Sequence, residues 1–523
     1  MNPTDRREEL LAVIDIGSSA IRMMIAEVAD RGEIRTLENL QMHVPLGKDV
    51  FSSGRISTPT LREAIRVLRN FKSALDEYGV RNVQAIATSA VREAANRDNF
   101  VDQVFVRTGI DVEVIEGAEE NRLGMISVEH ALEGHFDFAR ESCLILEVGS
   151  GSTVLILLNR GEVELTRTLT IGSVRLPGNA MVGSTDPSTM RRILHRSIHE
   201  IASHAGREHS LGDIDTFIAV GAAMRFVTRE LCDEPGGRFA VLPQRDFERF
   251  VDEISALSAD EIVDRHGLDY GEAETIYASL LFYRYFLGET SATNIVVPAA
   301  SIREGVLLEQ IELRTGHEAG DVARLVLSSA MQLGRKFDFD EKHATCVASA
   351  ALKLFDSLKQ DHGLGSRQRL LLHVAAILHE IGMYVSPTGR HKHSAYLIDA
   401  SDIFGLRASD KRIVAQVARY HRRAHPRSTH EPYMSLPKHD RATVSKLAAL
   451  LRIAAALDGG RDQRLCSFEL DRSREPYVIW VPETAGDITL ERDAVVRRGR
   501  MFAEVFGTPI VLRSGSPGTG GDA

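Results

Sequence analysis

Two segments far apart in the chain spell nearly the same pattern. Val13-Ile-Asp-Ile-Gly-Ser-Ser and Ile145-Leu-Glu-Val-Gly-Ser-Gly-Ser share the order apolar, acidic, apolar, Gly, Ser, and each is followed by a second apolar run. Apolar runs on either side of a tight Gly-Ser turn read as β-hairpins. They cover Leu11 to Ile16 with Ile21 to Val28, and Cys143 to Val148 with Thr153 to Asn159. One supersecondary unit used twice, without the short period of a solenoid, predicts two similar lobes with a cleft between them.

After the first copy, Thr58 to Tyr78 places Leu61, Ile65, Leu68, Phe71 and Leu75 at helical spacing, with Pro59 near its start. Val83 to Thr88 reads as a strand and Asn99 to Thr108 as a helix, so this region is mixed α/β. From about Thr315 the texture becomes helix after helix, rich in Ala, Leu and His, as far as Asp458. Past Gly459-Gly460, short alternating runs return at Ser467 to Leu470, Tyr477 to Val481 and Phe502 to Leu512. The Gly-, Ser- and Pro-rich stretch from Ser514 to Ala523 reads as a disordered tail. At 523 residues the chain well exceeds the roughly 150 residues of one domain. The expected divisions are a first lobe at 1–129, a second at 130–312, a helical domain at 313–460, a small α/β domain at 461–513 and the tail at 514–523.

Apolar content of 43%, charged content of 26% and a mean hydropathy of -0.12 describe an ordinary soluble, folded protein. The run Leu10 to Ile14 is too short for a signal-peptide core or a membrane span, and the longest apolar stretch, Lys446 to Asp458, is broken by Arg452. The expectation is a cytoplasmic protein without a membrane partner. Cys143, Cys232, Cys346 and Cys466 form no CxxC pair, which indicates neither a zinc ribbon nor a disulfide framework and reads as small buried hydrophobes. A net charge of -10 argues against a general nucleic-acid binder. Arg407, Lys411, Arg412, Arg419, Arg422, Arg423 and Arg427, with His421 and His425, read either as a solvated helix face or as a local polyanion track.

A turn such as Gly17-Ser18-Ser19 lets successive backbone N–H groups point into one concavity, and its hydroxyls add donors for phosphate oxygens. Gly149, Ser150, Gly151, Ser152 and Thr153 offer the same chemistry from the second copy. Asp15 and Glu147 stand two residues before these turns, where a phosphate would repel them unless a cation intervened. Mg²⁺ bridges carboxylates to phosphate in this way. The alternative is that each carboxylate caps its own turn.

These residues resemble the exopolyphosphatase/guanosine pentaphosphatase (Ppx/GppA) family within the actin-like superfold. Asp15-Ile-Gly-Ser-Ser-Ala-Ile-Arg-Met resembles its first phosphate loop and Leu146-Glu-Val-Gly-Ser-Gly-Ser-Thr its second. Ala87-Thr-Ser-Ala-Val-Arg-Glu-Ala-Ala-Asn-Arg resembles the segment that brings an arginine to the cleft, and Glu116-Gly-Ala-Glu-Glu-Asn-Arg-Leu the one bearing the catalytic glutamate. Gly172-Ser-Val-Arg-Leu and Ser301-Ile-Arg-Glu-Gly-Val-Leu are similar to later motifs of the second lobe. The resemblance implies a duplicated actin-like, RNase H-like core, an all-α HD-like domain and a small C-terminal α/β cap. It also implies Mg²⁺-dependent hydrolysis of terminal phosphoanhydride bonds in polyphosphate or guanosine pentaphosphate, with Glu120 as the general base, Arg92 steadying the phosphoryl oxygens, and a homodimer. The chain departs from the family pattern at Glu147, Ser150 and Val154 of the second loop, at Ser19-Ala20, and at Gly221-Ala-Ala-Met-Arg.

In the helical region, Leu378-His-Glu-Ile-Gly, Gly389-Arg-His-Lys-His-Ser and Tyr420-His-Arg-Arg resemble the HD-like domain of long family members. His343, His379, Glu380 and Asp458 fall where HD phosphohydrolases hold metal, and His393 and His421 are further candidates; a hydrogen-bonded polar core or a phosphate-binding wall is the alternative. Two further readings remain open: a regulatory protein that binds polyphosphate or alarmone without turnover, and an HD-type metal phosphohydrolase.

Overall fold

The computed structural model describes residues 9–28, 34–169, 172–173, 196, 211–232, 237–315, 320–422, 424–473 and 475–515. Two compact units divide the chain, Met1–Val322 and Ala323–Ala523.

The first unit contains two sheets. β1 (Glu9–Ile16) and β2 (Ala20–Val28) form an antiparallel hairpin in which Ile16 faces Ile21, and β3 (Ile34–His43) pairs antiparallel with β2. β4 (Asn82–Ala87) runs parallel to β1, and β5 (Val112–Val114) parallel to β4. The order is β3-β2-β1-β4-β5. In the second sheet, β6 (Ser142–Val148), β7 (Thr153–Asn159) and β8 (Glu162–Leu169) form an antiparallel meander. β9 (Phe217–Val220) lies parallel to β6, β11 (Asn294–Pro298) parallel to β9, and β10 (Phe239–Pro243) closes the edge against β11. Read from β8, the order β8-β7-β6-β9-β11 repeats that of the first sheet with the same strand directions, and β10 is the addition. This is the duplicated, two-lobed actin-like core, with both expected hairpins in place.

The sequence explains the layers. β1 is apolar on both faces because both are covered: Ala12, Ile14 and Ile16 join a core with Ile65, Leu68 and Phe71, while Leu11 and Val13 pack with Leu123, Val306 and Leu307. The helix Thr58–Tyr78 begins where the Ser57 hydroxyl accepts the Thr60 N–H and ends at Gly79, whose φ of 69° suits the left-handed cap. On the other side of β1, the helices Gly117–Leu132 and Ile302–Thr315 pack so closely that a Cβ on Gly305 would stand 1.9 Å from the Leu123 carbonyl oxygen.

The second unit is mainly helical from Gly320–Lys336 to Lys438–Leu457. It ends in a three-stranded sheet, β12 (Glu469–Asp471), β13 (Tyr477–Val481) and β14 (Ile510–Ser514), with β13 central. The run Phe502 to Leu512 is not one strand: its first half belongs to the helix Arg500–Phe506, ended by Gly507 at φ 79°. Contrary to the expectation from spacing, Cys346 and Cys466 are paired in a disulfide with Cα atoms 5.3 Å apart, while Cys143 and Cys232 form no disulfide. The partners are 120 residues apart and meet only because the chain after Asp458 folds back on the helix Glu341–Ser357. No helix of the described residues is long and apolar enough to cross a membrane.

Candidate active site

The two turns have the same backbone geometry. In the first, the Gly17 N–H donates to the Ala20 carbonyl at 3.1 Å; in the second, the Gly149 N–H donates to the Ser152 carbonyl at 2.9 Å. They face and touch each other. Ser150 Oγ donates to Ser19 Oγ at 2.9 Å, and Ser18 Oγ lies 2.9 Å from Ser89 Oγ. Gly151 fits into that junction, since a Cβ there would come within 2.5 Å of Ser89 Oγ and 3.1 Å of Ser18 Oγ. Asp15, Gly17, Ser18, Ser19, Glu120, Glu147, Gly149, Ser150, Gly151 and Ser152 all line one cavity of about 550 Å³. Thr153 does not: as the first residue of β7, opposite Val148, it is fully buried.

Alternation along β1 turns Asp15 to the same face as Leu11 and Val13, the face covered by the helix that carries Glu120. Successive helix residues point about 100° apart, and this separates Glu119 from Glu120. Glu119 is buried beside Arg122, which also pairs with Glu309, whereas the Glu120 side chain keeps 24% of its surface accessible and lines the cavity. Arg92 is not among the residues that line the cavity. Its guanidinium donates to the Ile115 carbonyl at 2.8 Å and to Glu120 Oε2 at 3.1 Å, which ties it to the carboxylate that does line it.

Asp15, Glu120 and Glu147 each meet a cost of ionisation in this cavity, set first by burial. Burial raises the Asp15 carboxyl above its ordinary range, against the pull of Arg22 and Arg303. Burial also raises Glu120, opposed by Arg92 and reinforced by Asp15. Glu147 is pushed up to about 7 by burial and then by Glu120, with Arg225 opposing and Asp15 adding.

Arg22, Ser89, Arg225 and Arg303 line the cavity although the residue patterns did not single them out. Arg22 was legible: a hairpin that pairs Ile16 with Ile21 places Arg22 directly opposite Asp15, and its NH1 lies 3.8 Å from Asp15 Oδ2. Arg225 follows β9 and donates to the Ala300 carbonyl at 3.0 Å; Arg303 donates to Asn39 at 2.6 Å. The motif at Gly172 lies outside the described residues beyond Ser173, which donates its N–H to the Gly149 carbonyl at 3.0 Å.

In the second unit, His343, His379 and Glu380 bring ligand-capable atoms within 4.8 Å of one another, with His421 beside His379. His393, in the helix Arg390–Ala400, is not part of that group, and Asp458 accepts from the Gln463 N–H while its other oxygen pairs with His343. Among the basic residues, His421 is buried and His425 pairs with Glu504, so neither belongs to a free basic face; Arg423 lies outside the described residues.

Fold and cleft together define a two-lobed, actin-like protein with backbone-amide cradles facing buried and half-buried carboxylates. Residues 24–314 match the Ppx/GppA phosphatase family and residues 327–480 match Ppx/GppA phosphatase, domain III, so the chain belongs to the Ppx/GppA phosphatase family. It is 25% identical over 491 residues to a guanosine-5'-triphosphate,3'-diphosphate pyrophosphatase of Photobacterium profundum, covering 90% of this chain and 92% of that one. The crystal structure of an exopolyphosphatase from Cytophaga hutchinsonii superposes with a TM-score of 0.52 at 25% identity, covering 58% of this chain and 98% of that one. An exopolyphosphatase-like protein of known structure shares the fold with a TM-score of 0.51 at 21% identity, over 58% of this chain and 98% of the other.

Proposed function

We propose that this phosphoanhydride hydrolase removes terminal phosphoryl groups from a polyanionic chain, either inorganic polyphosphate or the 5′ end of guanosine pentaphosphate. The single observation that carries the reading is the convergence of both Gly-Ser turns and Glu120 on one cavity. The names of the Photobacterium and Cytophaga relatives agree with these two substrates.

The turns bind phosphate oxygens through backbone N–H groups, and Arg22, Arg225 and Arg303 supply positive charge to the same space. Glu120, held by Arg92, orients a water and takes its proton as the water oxygen bonds to the terminal phosphorus. The bridging P–O bond breaks, its electron pair stays on the shortened chain, and orthophosphate leaves. Arg92 acts as a positioning residue that keeps Glu120 ionised. The donor set fits Mg²⁺: Asp15 and Glu147 are oxygen ligands whose carboxyls are raised by burial, with Glu120 and Asp15 adding to the rise at Glu147, and a dication would offset that cost of ionisation. Mg²⁺ held there would neutralise charge on the phosphate oxygens. Ser150 is accommodated through its bond to Ser19, and Val154 is buried, so the departures in the second loop leave the cradle intact.

The test measures orthophosphate release from both substrates by the wild type, Glu120→Gln and His379→Ala. A loss of about 10²–10⁴-fold in Glu120→Gln with retained substrate binding supports the cleft mechanism. Loss confined to His379→Ala would move the chemistry to the helical unit. Absence of wild-type release with tight polyphosphate binding would make the protein a regulatory binder.

A further inference from the structure

The helical unit contains a histidine cluster that the cleft chemistry leaves unused. His343 lies in the first turn of the helix Glu341–Ser357, His379 caps the helix Ser366–Leu378, and His421 caps the helix Ala408–Tyr420. Three different helices thus deliver imidazoles to one place: ring centres are 5.4 Å apart for His343 and His379, and 4.9 Å for His379 and His421. All three are buried, His379 and His421 to 1% exposure.

Each ring commits its Nδ1. His343 pairs with Asp458 Oδ2 at 2.6 Å, His379 with the Ala376 carbonyl at 2.7 Å and His421 with the Ala418 carbonyl at 2.5 Å. A carbonyl only accepts, so Nδ1 of His379 and of His421 must carry the proton, which leaves a lone pair on Nε2. Those two Nε2 atoms are buried without a hydrogen-bond partner among the described residues. A carbonyl or carboxylate behind Nδ1 is the arrangement that fixes the tautomer of a metal-binding histidine. Glu380 completes the set, with Oε2 3.8 Å from His343 Nε2.

We propose that His343, His379 and Glu380, with His421 as a fourth neighbour, form a site for a transition-metal dication of the zinc class, bound through the histidine Nε2 atoms. Imidazole mixed with one carboxylate favours such an ion over Mg²⁺. Asp458 is an orienting partner of His343 here, not a ligand. Arg390 binds Glu380 Oε1 at 2.6 Å and Arg461 binds Oε2, yet a carboxylate offers about four acceptor positions, so both contacts are compatible with a bound ion. Arg390 and Arg461 offset two of the three negative charges of Asp340, Glu380 and Asp458, so a dication would leave one positive charge and bring one anionic ligand of its own, such as hydroxide. This site is independent of the cleft, whose acids offer oxygen alone.

The experiment strips the full chain with chelator, loads it with Co²⁺, desalts it, and reads both bound cobalt and its visible spectrum. The expected result is a single retained equivalent with the intense bands of a low-coordinate, nitrogen-ligated ion. It should persist in Glu147→Gln and vanish in His343→Ala and His379→Ala. Asp458→Asn should weaken binding by about 10–100-fold, as loss of an orienting partner does. Should an alanine variant fail to fold by circular dichroism, His379→Gln serves instead. Cobalt that persists in the His343 and His379 variants, a wild type that retains none after desalting, or a pale spectrum of oxygen-only ligation abolished by Glu147→Gln would overturn the proposal. Loss of phosphate release in Glu120→Gln bears on the cleft alone, so the two readings can fail separately.

Discussion

Glu147→Gln should stabilise the metal-free protein at pH 8. The Glu147 carboxyl stands at about 7 in the folded chain against an ordinary 4.5, because burial and the neighbouring Glu120 and Asp15 oppose its charge. Between these two values the folded state keeps a proton that the unfolded chain has released, so stability falls as pH rises through this window and levels off above it. At about 1.4 kcal/mol per pH unit, the ionised carboxylate costs the folded state about 3 kcal/mol at pH 8. That figure is an upper value, since Glu120 and Asp15 share the repulsion. Glutamine has nearly the same shape and no charge to hold. At roughly 2–4 °C per kcal/mol, the variant should melt up to about 10 °C above wild type at pH 8 in chelator, with the gap closing towards pH 5. Added Mg²⁺ should then raise the wild-type melting temperature and leave the variant largely unmoved. A variant that melts below wild type at pH 8, or a gap independent of pH, would refute the electrostatic reasoning; a missing Mg²⁺ response alone would refute Glu147 as a ligand.

Arg92→Ala removes the cation that lowers the Glu120 carboxyl, so the acid limb of the kcat/KM profile should move to higher pH; an unmoved limb would exclude the positioning role. Gly151→Ala drives a Cβ to within 2.5 Å of Ser89 Oγ and 2.7 Å of Phe51 Cζ, and steady-state kinetics should show kcat/KM reduced by about 10²-fold through misplacement of the turn. Gly305→Ala should cost about 1–3 kcal/mol in denaturant unfolding, because the Leu123 carbonyl is backbone and cannot give way as a side chain would. Tyr283→Phe should cost about 1–3 kcal/mol by the same measure, since the lost hydroxyl bridges the Val148 N–H and the Val220 carbonyl at the ends of β6 and β9.

The hairpins and the helix Thr58–Tyr78 were legible because local signals agree there: a cap at Ser57, Gly79 at the other end, and an apolar stripe between them. Strand β3 was not, because it is an edge strand whose Arg35, Glu38, Asn39 and Gln41 are polar and partly solvated, so its place in the sheet comes from pairing with β2 and not from its own pattern. The cleft acids were legible by their offset from the turns. Arg225 and Arg303 lie within the motifs Gly221-Ala-Ala-Met-Arg and Ser301-Ile-Arg-Glu-Gly-Val-Leu but were not legible as cleft residues, because their position depends on how strands distant in sequence stack side by side. The Cys346–Cys466 pair and the link between His343 and Asp458 share that origin: contacts between residues more than a hundred positions apart leave no periodic trace.

The duplication gives the cleft two of most things, and its chemistry follows from where the copies differ. Asp15 and Glu147 are each the penultimate residue of the first strand in their hairpin, but the cross-strand partner of Asp15 is Arg22 and that of Glu147 is Val154. The first acid is therefore partly neutralised by its own hairpin, whereas the second has no such cross-strand cation, so burial and the neighbouring Glu120 push Glu147 up against the weaker pull of Arg225. The second asymmetry lies in the helices that follow the last parallel strand of each copy. Gly117–Leu132 follows β5 and offers Glu120, while Ile302–Thr315 follows β11 and offers Arg303. Two equivalent helices, pressed together at Gly305, thus present a carboxylate and a guanidinium to the same cavity. A symmetric pair of acids would repel a phosphate, and a symmetric pair of arginines would bind it without activating water; under the proposed mechanism one of each does both.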